Sequence, residues 1–387
     1  MRILHVVSFS SIVSGAVKVA LDIANELEKT GYTVGILDSS FYRRKNKPLI
    51  PSGVQFFKSD SRFSQLSMIL NNSKCKIPKF GALEKFPDIL HFHGVYNIFH
   101  VKYAQKCRKI GIPYIITLHG NLIEEARNYH KYRKLIAINF LLLKYLKGAS
   151  VIHALGEKEA KDASSITPEA KIVIIPNGIN DDYLDFANSI DCKNNCNYLQ
   201  GFIFLFLGRL DVHHKGLDLL LESISKIASD FRRNNAKLLL TGPFNSKRDR
   251  TMVLNFISRF QLNDIVIITG PKYGKDKINT LSSCDVFIHT SRYEGMPMAI
   301  LEAMSFAKPC IITPNTNIAE YIKKTNSGWI TKPNPNSIAK KIRNVLKTSY
   351  YERKKMGDNA KNLVNEQFRL SKTVNSLSSL YSSIIKE

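Results

Sequence analysis

The sequence predicts an α/β protein made of two doubly wound parallel sheets, and three observations carry that reading. The chain opens as strand, helix, strand, the pattern of a parallel sheet covered by helices on both faces. Short apolar runs then recur, several of them ending near a His and a Gly. A polar, Asn-rich stretch at 180–200 interrupts the alternation, which restarts beyond it. The 387 residues suit two domains better than one core.

The elements follow in order. "RILHVVS" (2–8) is a strand, "AVKVALDIANELEKTG" (16–31) a helix with apolar residues at helical spacing and Gly31 as its stop, and "TVGILD" (33–38) a strand. "DILHFHG" (88–94), "YIITLHG" (114–120) and "SVIHALG" (150–156) continue the series, and "KIVIIPNGI" (171–179) ends it. In the second half "FIFLFLG" (202–208), "KLLLTG" (237–242), "DIVIITG" (264–270), "VFIHTS" (286–291) and "PCIIT" (309–313) read as strands. "GLDLLLESISKIAS" (216–229) reads as a helix, and "LSKTVNSLSSLYSSIIKE" (370–387) as a final amphipathic one. The expected division is a domain over 1–182, a linker over 183–200, a domain over 201–367 and a C-terminal helix over 368–387 that packs back on the first domain.

Ligands of such sheets bind outside the carboxyl ends of the strands. The first strand–helix turn, "SFSSIVSGA", lacks G-x-G-x-x-G, so nothing there supports a dinucleotide cofactor. Its Gly15 is either a plain loop glycine or a point where phosphate or sugar meets the backbone. In "FLGRLDVHHKGLDLL" (206–220), Arg209 and Lys215 fall between a strand and a helix. Two cations beside a helix N-terminus make a diphosphate site, unless they are ordinary surface charges. His213 and His214 read as solvated neighbours. In "SRYEGMPMAILEAM" (291–304), Pro297 suits the first turn of a helix, and Gly295 and Met296 bring amides to its positive end. Glu294 in the loop can accept from sugar hydroxyls, and Glu302 inside the helix from a second vicinal pair such as a ribose. Two carboxylates with phosphate donors between them describe a grip on a nucleotide sugar.

The E-x7-E of "EGMPMAILEA", with "GRL" and "KG" at 208–216, "PDILHFHG" at 87–94, "ITLHG" at 116–120 and "IIPNGI" at 174–179, resembles the retaining glycosyltransferases of family 4. The match covers nearly the whole chain and is weakest at 40–80 and 183–200. The resemblance implies the GT-B fold: two Rossmann-like domains facing each other across a cleft, the first binding acceptor and the second the nucleotide sugar. It implies that Arg209 and Lys215 neutralise the departing diphosphate, that Glu294 holds the donor sugar and that Glu302 holds the ribose. Gly208 and the backbone of Gly295, Met296, Pro297 and Met298 would line the donor, Lys272 would meet the base, His119 would lie over the reacting sugar, and Gly15 would approach the phosphate. Ser14-Gly15 stands where the family often has two glycines. His91 and His93 read as structural or acceptor-side residues.

The transition state expected from the resemblance is loose, with charge building on the leaving diphosphate, so stabilising that charge is the main catalytic task. The sequence has no D-x-D, hence no visible ligand set for a metal, and the expectation is a reaction without metal or other cofactor. Cys192 and Cys196 form a C-x3-C with no second pair, weak support for zinc, and six scattered cysteines suit a reducing cytoplasm. "MRILHVVSFSSIVSG" does not read as a signal peptide.

The net charge is +24, and from Arg43 to Lys147 there are 20 Lys/Arg against five Asp/Glu, about +15. Such a segment seeks an anionic partner. "KYRKLIAINFLLLKYLKG" (131–148) is either a core helix of the first domain or a surface for anionic lipid, flanked by Lys131, Arg133, Lys134, Lys144 and Lys147. The expected partners are a nucleotide-sugar donor, a glycan or polyprenyl-diphosphate-linked acceptor and the inner face of the cytoplasmic membrane, in bacterial polysaccharide synthesis (O-antigen, capsule or exopolysaccharide). A nucleotide-sugar epimerase of the same fold is the rival reading. A nucleic-acid binder would leave Glu294 and Glu302 idle, so no nucleic acid is expected.

Overall fold

The computed structural model describes residues 1–9, 15–40, 49–59, 76–81, 84–129, 131–189 and 201–386. They divide into two units: Met1–Gly178 with Leu370–Glu387, and Ile179–Arg369.

In the first unit β1 (Arg2–Val7), β2 (Thr33–Asp38), β3 (Gln55–Lys58), β4 (Ile89–His93), β5 (Tyr114–Thr117), β6 (Val151–Ala154) and β7 (Ile172–Ile174) form one parallel sheet in the order β3-β2-β1-β4-β5-β6-β7. β1, β4, β5 and β6 are almost wholly buried, as continuous Val/Ile/Leu runs covered on both faces must be. The strand order reverses between β1 and β4, which makes their carboxyl ends the switch point where ligands of this class of sheet bind. The helix Gly15–Lys29 turns Val17, Ala20, Ile23, Ala24 and Leu27 inward. It packs against the C-terminal helix Leu370–Lys386, whose own stripe of Leu370, Val374, Leu377, Tyr381 and Ile384 is buried.

The second unit holds β8 (Phe202–Leu207), β9 (Ala236–Thr241), β10 (Val266–Gly270), β11 (Val286–His289), β12 (Cys310–Ile312) and β13 (Gly328–Ile330), again all parallel, in the order β10-β9-β8-β11-β12-β13. Here the switch lies between β8 and β11. The two sheets confirm the α/β, doubly wound class. β3 and β13 were not expected, and the helix read over 216–229 is two, Leu217–Ser225 and Ala228–Arg233.

The expected linker needs correcting. Asp181–Ser189 is a helix of the second unit, with Leu184 and Ala187 buried. Asn180 accepts from the Tyr183 amide at 3.2 Å, and Asp181 and Asp182 sit in the first turn, where the dipole favours carboxylates. A cap followed by acids looks merely polar in composition, which is why it read as linker. Ile179 N donates to Phe368 O at 2.7 Å, and Arg369 pairs with Asp181 and Asp185, so the outgoing and returning chain are tied side by side. Residues 190–200, with Cys192 and Cys196, lie outside the described residues. Cys107, Cys284 and Cys310 are buried and unbridged.

Candidate functional site

In the second unit the loops that leave β8 and β11 are sewn together at the switch point. Gly216 has φ 64, and a Cβ there would overlap the Thr290 carbonyl oxygen, so the close approach requires glycine. The Thr290 hydroxyl lies 3.2 Å from the carbonyls of both Lys215 and Gly216. Arg292 N donates to His214 O at 3.0 Å, and the Arg292 guanidinium grips Asp218 with two bonds of 2.9 and 2.7 Å. His214 Nε2 donates to the Tyr293 carbonyl at 3.0 Å, and its ring lies over that of Tyr293.

These contacts deliver Lys215 to Glu294. Its ammonium bonds directly to Oε1 of the carboxylate. The Ser291 hydroxyl is 3.3 Å from the same oxygen, His289 Nε2 3.6 Å and His214 Nε2 3.8 Å. All four partners converge on Oε1. Burial alone would raise the Glu294 pKa, but Lys215 above all, with the two imidazoles, holds it well below the ordinary carboxylate range. Burial also keeps His214 and His289 below the usual histidine value. The site therefore presents an ionised carboxylate with one oxygen fully occupied. Arg209, just beyond β8 and Gly208, is the more open cation: it is 40% exposed, with Asp211 at 3.8 Å.

The helix Met298–Ser305 starts behind Glu294, with Pro297 as its N-cap rather than its first helical residue. Met296, Pro297 and Met298 are buried, and Asn317 N donates to Gly295 O at 3.0 Å. The opening amides thus stand at the carboxyl edge of the sheet, at the positive end of the helix. Glu302, one turn in, is 2% exposed, and the Lys277 ammonium bonds it at 2.6 Å. Lys277 comes from Gly274–Ser283, the helix that crosses from β10, at the edge of the sheet, to β11 near its middle. Lys272 precedes that helix, half-buried beyond β10. The structure thus gathers Lys215, Glu294, His214 and His289 around one carboxylate and Lys277 and Glu302 around another. Sequence reasoning missed Lys277 and His289, and read His214 as merely solvated.

In the first unit the carboxyl ends of the strands carry a histidine cluster. His5, His91 and His93 line one face of β1 and β4, His5 opposite His91 in register. The Ile175 carbonyl can only accept, so His153 Nε2, 2.7 Å away, carries a proton. The rest of the chain is then fixed. The Thr117 hydroxyl donates to His153 Nδ1 at 2.7 Å, His91 Nε2 donates to Thr117 at 2.5 Å, and the Tyr381 hydroxyl donates to His91 Nδ1 at 2.6 Å. A second run joins His119 Nε2 to His93 Nδ1 at 3.0 Å and His93 Nε2 to His5 Nδ1 at 2.9 Å. Nitrogens of His5, His91 and His93 lie within 4.8 Å of one another, a spacing that could suit a metal ion. Both nitrogens of His91 and both of His93 are already engaged in hydrogen bonds, while Nε2 of His5 is buried without a partner.

His119 is the partly exposed end of that network. It adopts φ 50, and burial pulls its pKa down to about 3. The next amide, Gly120 N, donates to the buried Glu159 carboxylate, which also accepts from Leu155 N at 2.7 Å. Burial lifts the Glu159 pKa to about 7. Gly15 opens its helix with nothing within 4 Å of a would-be Cβ.

Comparison with known proteins adds to this geometry. The family described as Glycosyl transferases group 1 matches residues 193–363, and Glycosyltransferase Family 4 matches residues 13–183. The chain is 27% identical over 343 residues to an uncharacterized glycosyltransferase of Methanocaldococcus jannaschii, covering 88% of this chain and 87% of that one. It is 24% identical over 331 residues to the Escherichia coli UDP-Gal:alpha-D-GlcNAc-diphosphoundecaprenol alpha-1,3-galactosyltransferase, covering 81% and 80%. In structure it resembles sucrose-phosphate synthase from Thermosynechococcus elongatus, with a TM-score of 0.77 and 15% identity over 100% of this chain and 99% of that one. It also resembles Anabaena Alr3699/HepE, solved with UDP and glucose, at TM-score 0.71 and 18% identity over 99% and 100% of the chains.

Proposed function

The chain belongs to the group 1 glycosyltransferases of family 4 type, and from that premise we propose that it moves a hexose, with retention, from a nucleotide-diphosphate sugar to a lipid-linked or glycan acceptor in cell-surface polysaccharide assembly. The observation that carries the reading is the Glu294 carboxylate, ionised, with its partners all on Oε1 and Oε2 left to accept from a sugar hydroxyl. In this reading Lys215, anchored on Glu294, and Arg209, the more open cation, face the leaving diphosphate together with the amides that open Met298–Ser305. Gly208, Gly295 and Met296 line the donor. Glu302 takes the ribose hydroxyls, exchanging or sharing its bond to Lys277, and Lys272 lies toward the base. In the first unit His119 meets the reacting sugar as a neutral imidazole, and Gly15 leaves its surroundings open to phosphate.

UDP is the first nucleotide to test, because Alr3699/HepE was solved with UDP-glucose and the E. coli relative is named for UDP-Gal. That relative's diphosphoundecaprenol acceptor supports a lipid-linked acceptor here. Among the described residues no helix is long and apolar enough to cross a membrane, so such an acceptor would be met at the bilayer surface, on the anionic inner face of the cytoplasmic membrane. The proposed reaction uses protein cations in place of a metal. Incubation with UDP-sugars, with and without a polyprenyl-diphosphate glycan, in excess chelator, tests the reading. Acceptor-dependent release of UDP supports it. A donor isomerised without acceptor would instead identify an epimerase, and rescue of a chelator-silenced enzyme by a divalent ion would overturn the metal-free account.

A further inference from the structure

The run from β5 to β6 has two apolar faces where a soluble helix needs one. In the helix Lys131–Ala137, the π-helical turn Ile138–Leu142 and the helix Leu143–Lys147, the residues Ile138, Leu142, Tyr145 and Leu146 are buried in the core of the first unit. Tyr132, Leu135, Ile136 and Leu141 point outward instead, exposed by 81, 50, 61 and 44%. Tyr132, Leu135 and Ile136 share a face at i, i+3 and i+4. Leu141 is exposed on the π-helical turn that follows. Four large apolar side chains left exposed within ten residues mark a contact site.

The surrounding charge says what the site contacts. From Ala126 to Gly156 the sequence has Arg127, Lys131, Arg133, Lys134, Lys144 and Lys147 and no Asp or Glu. Lys134 is used within the protein, donating to the Ala126 carbonyl and lying over the Tyr96 and Tyr129 rings, so it is not one of the anchoring cations. Lys147 pairs with Glu169 at 3.2 Å, so the cationic excess rests on the other basic residues of this acid-free stretch, and apolar side chains set in such a stretch fit the interface of an anionic bilayer. Topology gives the face its purpose. β5 ends at the carboxyl edge of the sheet and β6 begins at the opposite edge, so their connection leaves from the His119 end, and Lys134 near the start of the run lies over Tyr96, which follows β4 at that same edge.

We propose that Tyr132, Leu135, Ile136 and Leu141 insert into the interface of anionic membranes, setting the His119 end of the sheet at the depth of a lipid-linked headgroup. This deepens the lipid-acceptor reading and rests on it. The probe is vesicles of phosphatidylglycerol and phosphatidylcholine carrying brominated acyl chains. The chain's one tryptophan, Trp329, lies in β13 of the other unit and supplies a constant background. In the Tyr132→Trp variant the added indole should shift to the blue and be quenched on binding. Leu135→Ser with Ile136→Ser preserves the charge and should weaken partitioning at least tenfold, roughly the effect of withdrawing one large apolar side chain from lipid. Melting temperature and UDP protection should be unchanged in that variant. Binding without quenching would reduce the contact to surface electrostatics and overturn insertion, as would no binding to anionic vesicles at low salt. A concentration-dependent dimer in sedimentation velocity, lost in the serine variant, would assign the face to a second copy instead. If vesicle binding fails while transfer to a detergent-solubilised lipid acceptor persists, insertion falls and the transferase reading stands. Insertion without any transfer would be the reverse case.

Discussion

Acid should unfold the first unit before the second. His5, His100 and His153 are each no more than 1% exposed, and burial lowers their pKa values to about 3, 4 and 4. A histidine whose folded pKa lies below its unfolded one is neutral in the fold and protonated in the unfolded chain. Its contribution is therefore present at pH 7 and lost as pH falls through about 6.5 toward the folded value. At pH 5 that loss is about 2 kcal/mol for each, or about 6 kcal/mol for the three. Glu159 works the other way. Its folded pKa of about 7 lies above the ordinary 4.5, so the fold gains a proton first, which returns about 2 kcal/mol between pH 7 and 5. The balance is a loss of about 4 kcal/mol, a large part of a domain's typical stability. His91 and His93, also held well below the ordinary value by burial, add to the loss. The assay is denaturant unfolding from pH 7 to 5, with hydrogen exchange of peptides over 89–154 reporting the first unit and Trp329 fluorescence the second. His214 and His289, also lowered by burial, shift the second unit the same way, so the first unit's midpoint should fall by more than the second's because it holds more such histidines. Equal shifts, or a flat profile over these two pH units, would show that the cluster is not buried and neutral as described.

Four further outcomes are expected. Arg209→Ala and Lys215→Ala should each lower kcat roughly a hundredfold, the scale of removing one donor to developing charge, in steady-state assays run in chelator. Lys277→Met should destabilise the second unit by about 3 kcal/mol or more because it leaves the Glu302 carboxylate buried without its cation, and Glu302→Gln in the same chain should restore the melting temperature. Gly216→Ala should cost about 2 kcal/mol or more and weaken UDP binding in calorimetry, since the positive φ and the Thr290 carbonyl both oppose a side chain. Tyr381→Phe should cost about 1 kcal/mol in the first unit, one hydrogen bond to His91, without altering UDP affinity.

What the sequence shows of this molecule follows the range of its interactions. The buried strands of both sheets read directly, because continuous Val/Ile/Leu runs survive any context. β3 and β13 are short and lie at sheet edges, where "QFFK" and "GWI" carry little periodicity. The neighbours Arg209, Lys215, Glu294 and Glu302 stand out because they follow strands or open helices. Their partners do not. Lys277 reaches Glu302 through a helix crossover, and His289 meets Glu294 only because β11 ends beneath its loop. One local signal was available: His91 and His93 alternate, so a strand must put both on one face. His5 joins them through a strand register that no local pattern predicts.

The first unit is assembled from two stretches that flank the second, and this reverses the usual order of events on the ribosome. A domain encoded first ordinarily folds first. Here residues 1–178 emerge with the flank of Gly15–Lys29 bare and His91 lacking the Tyr381 hydroxyl. The second unit, contiguous over Ile179–Arg369, leaves the tunnel in one piece. Only when Leu370–Lys386 follows can that helix close over the older half. Residues 1–178 are thus sealed only after the second unit has been made, and a ribosome that stalls short of Leu370 releases a whole second unit carrying an unfinished first one.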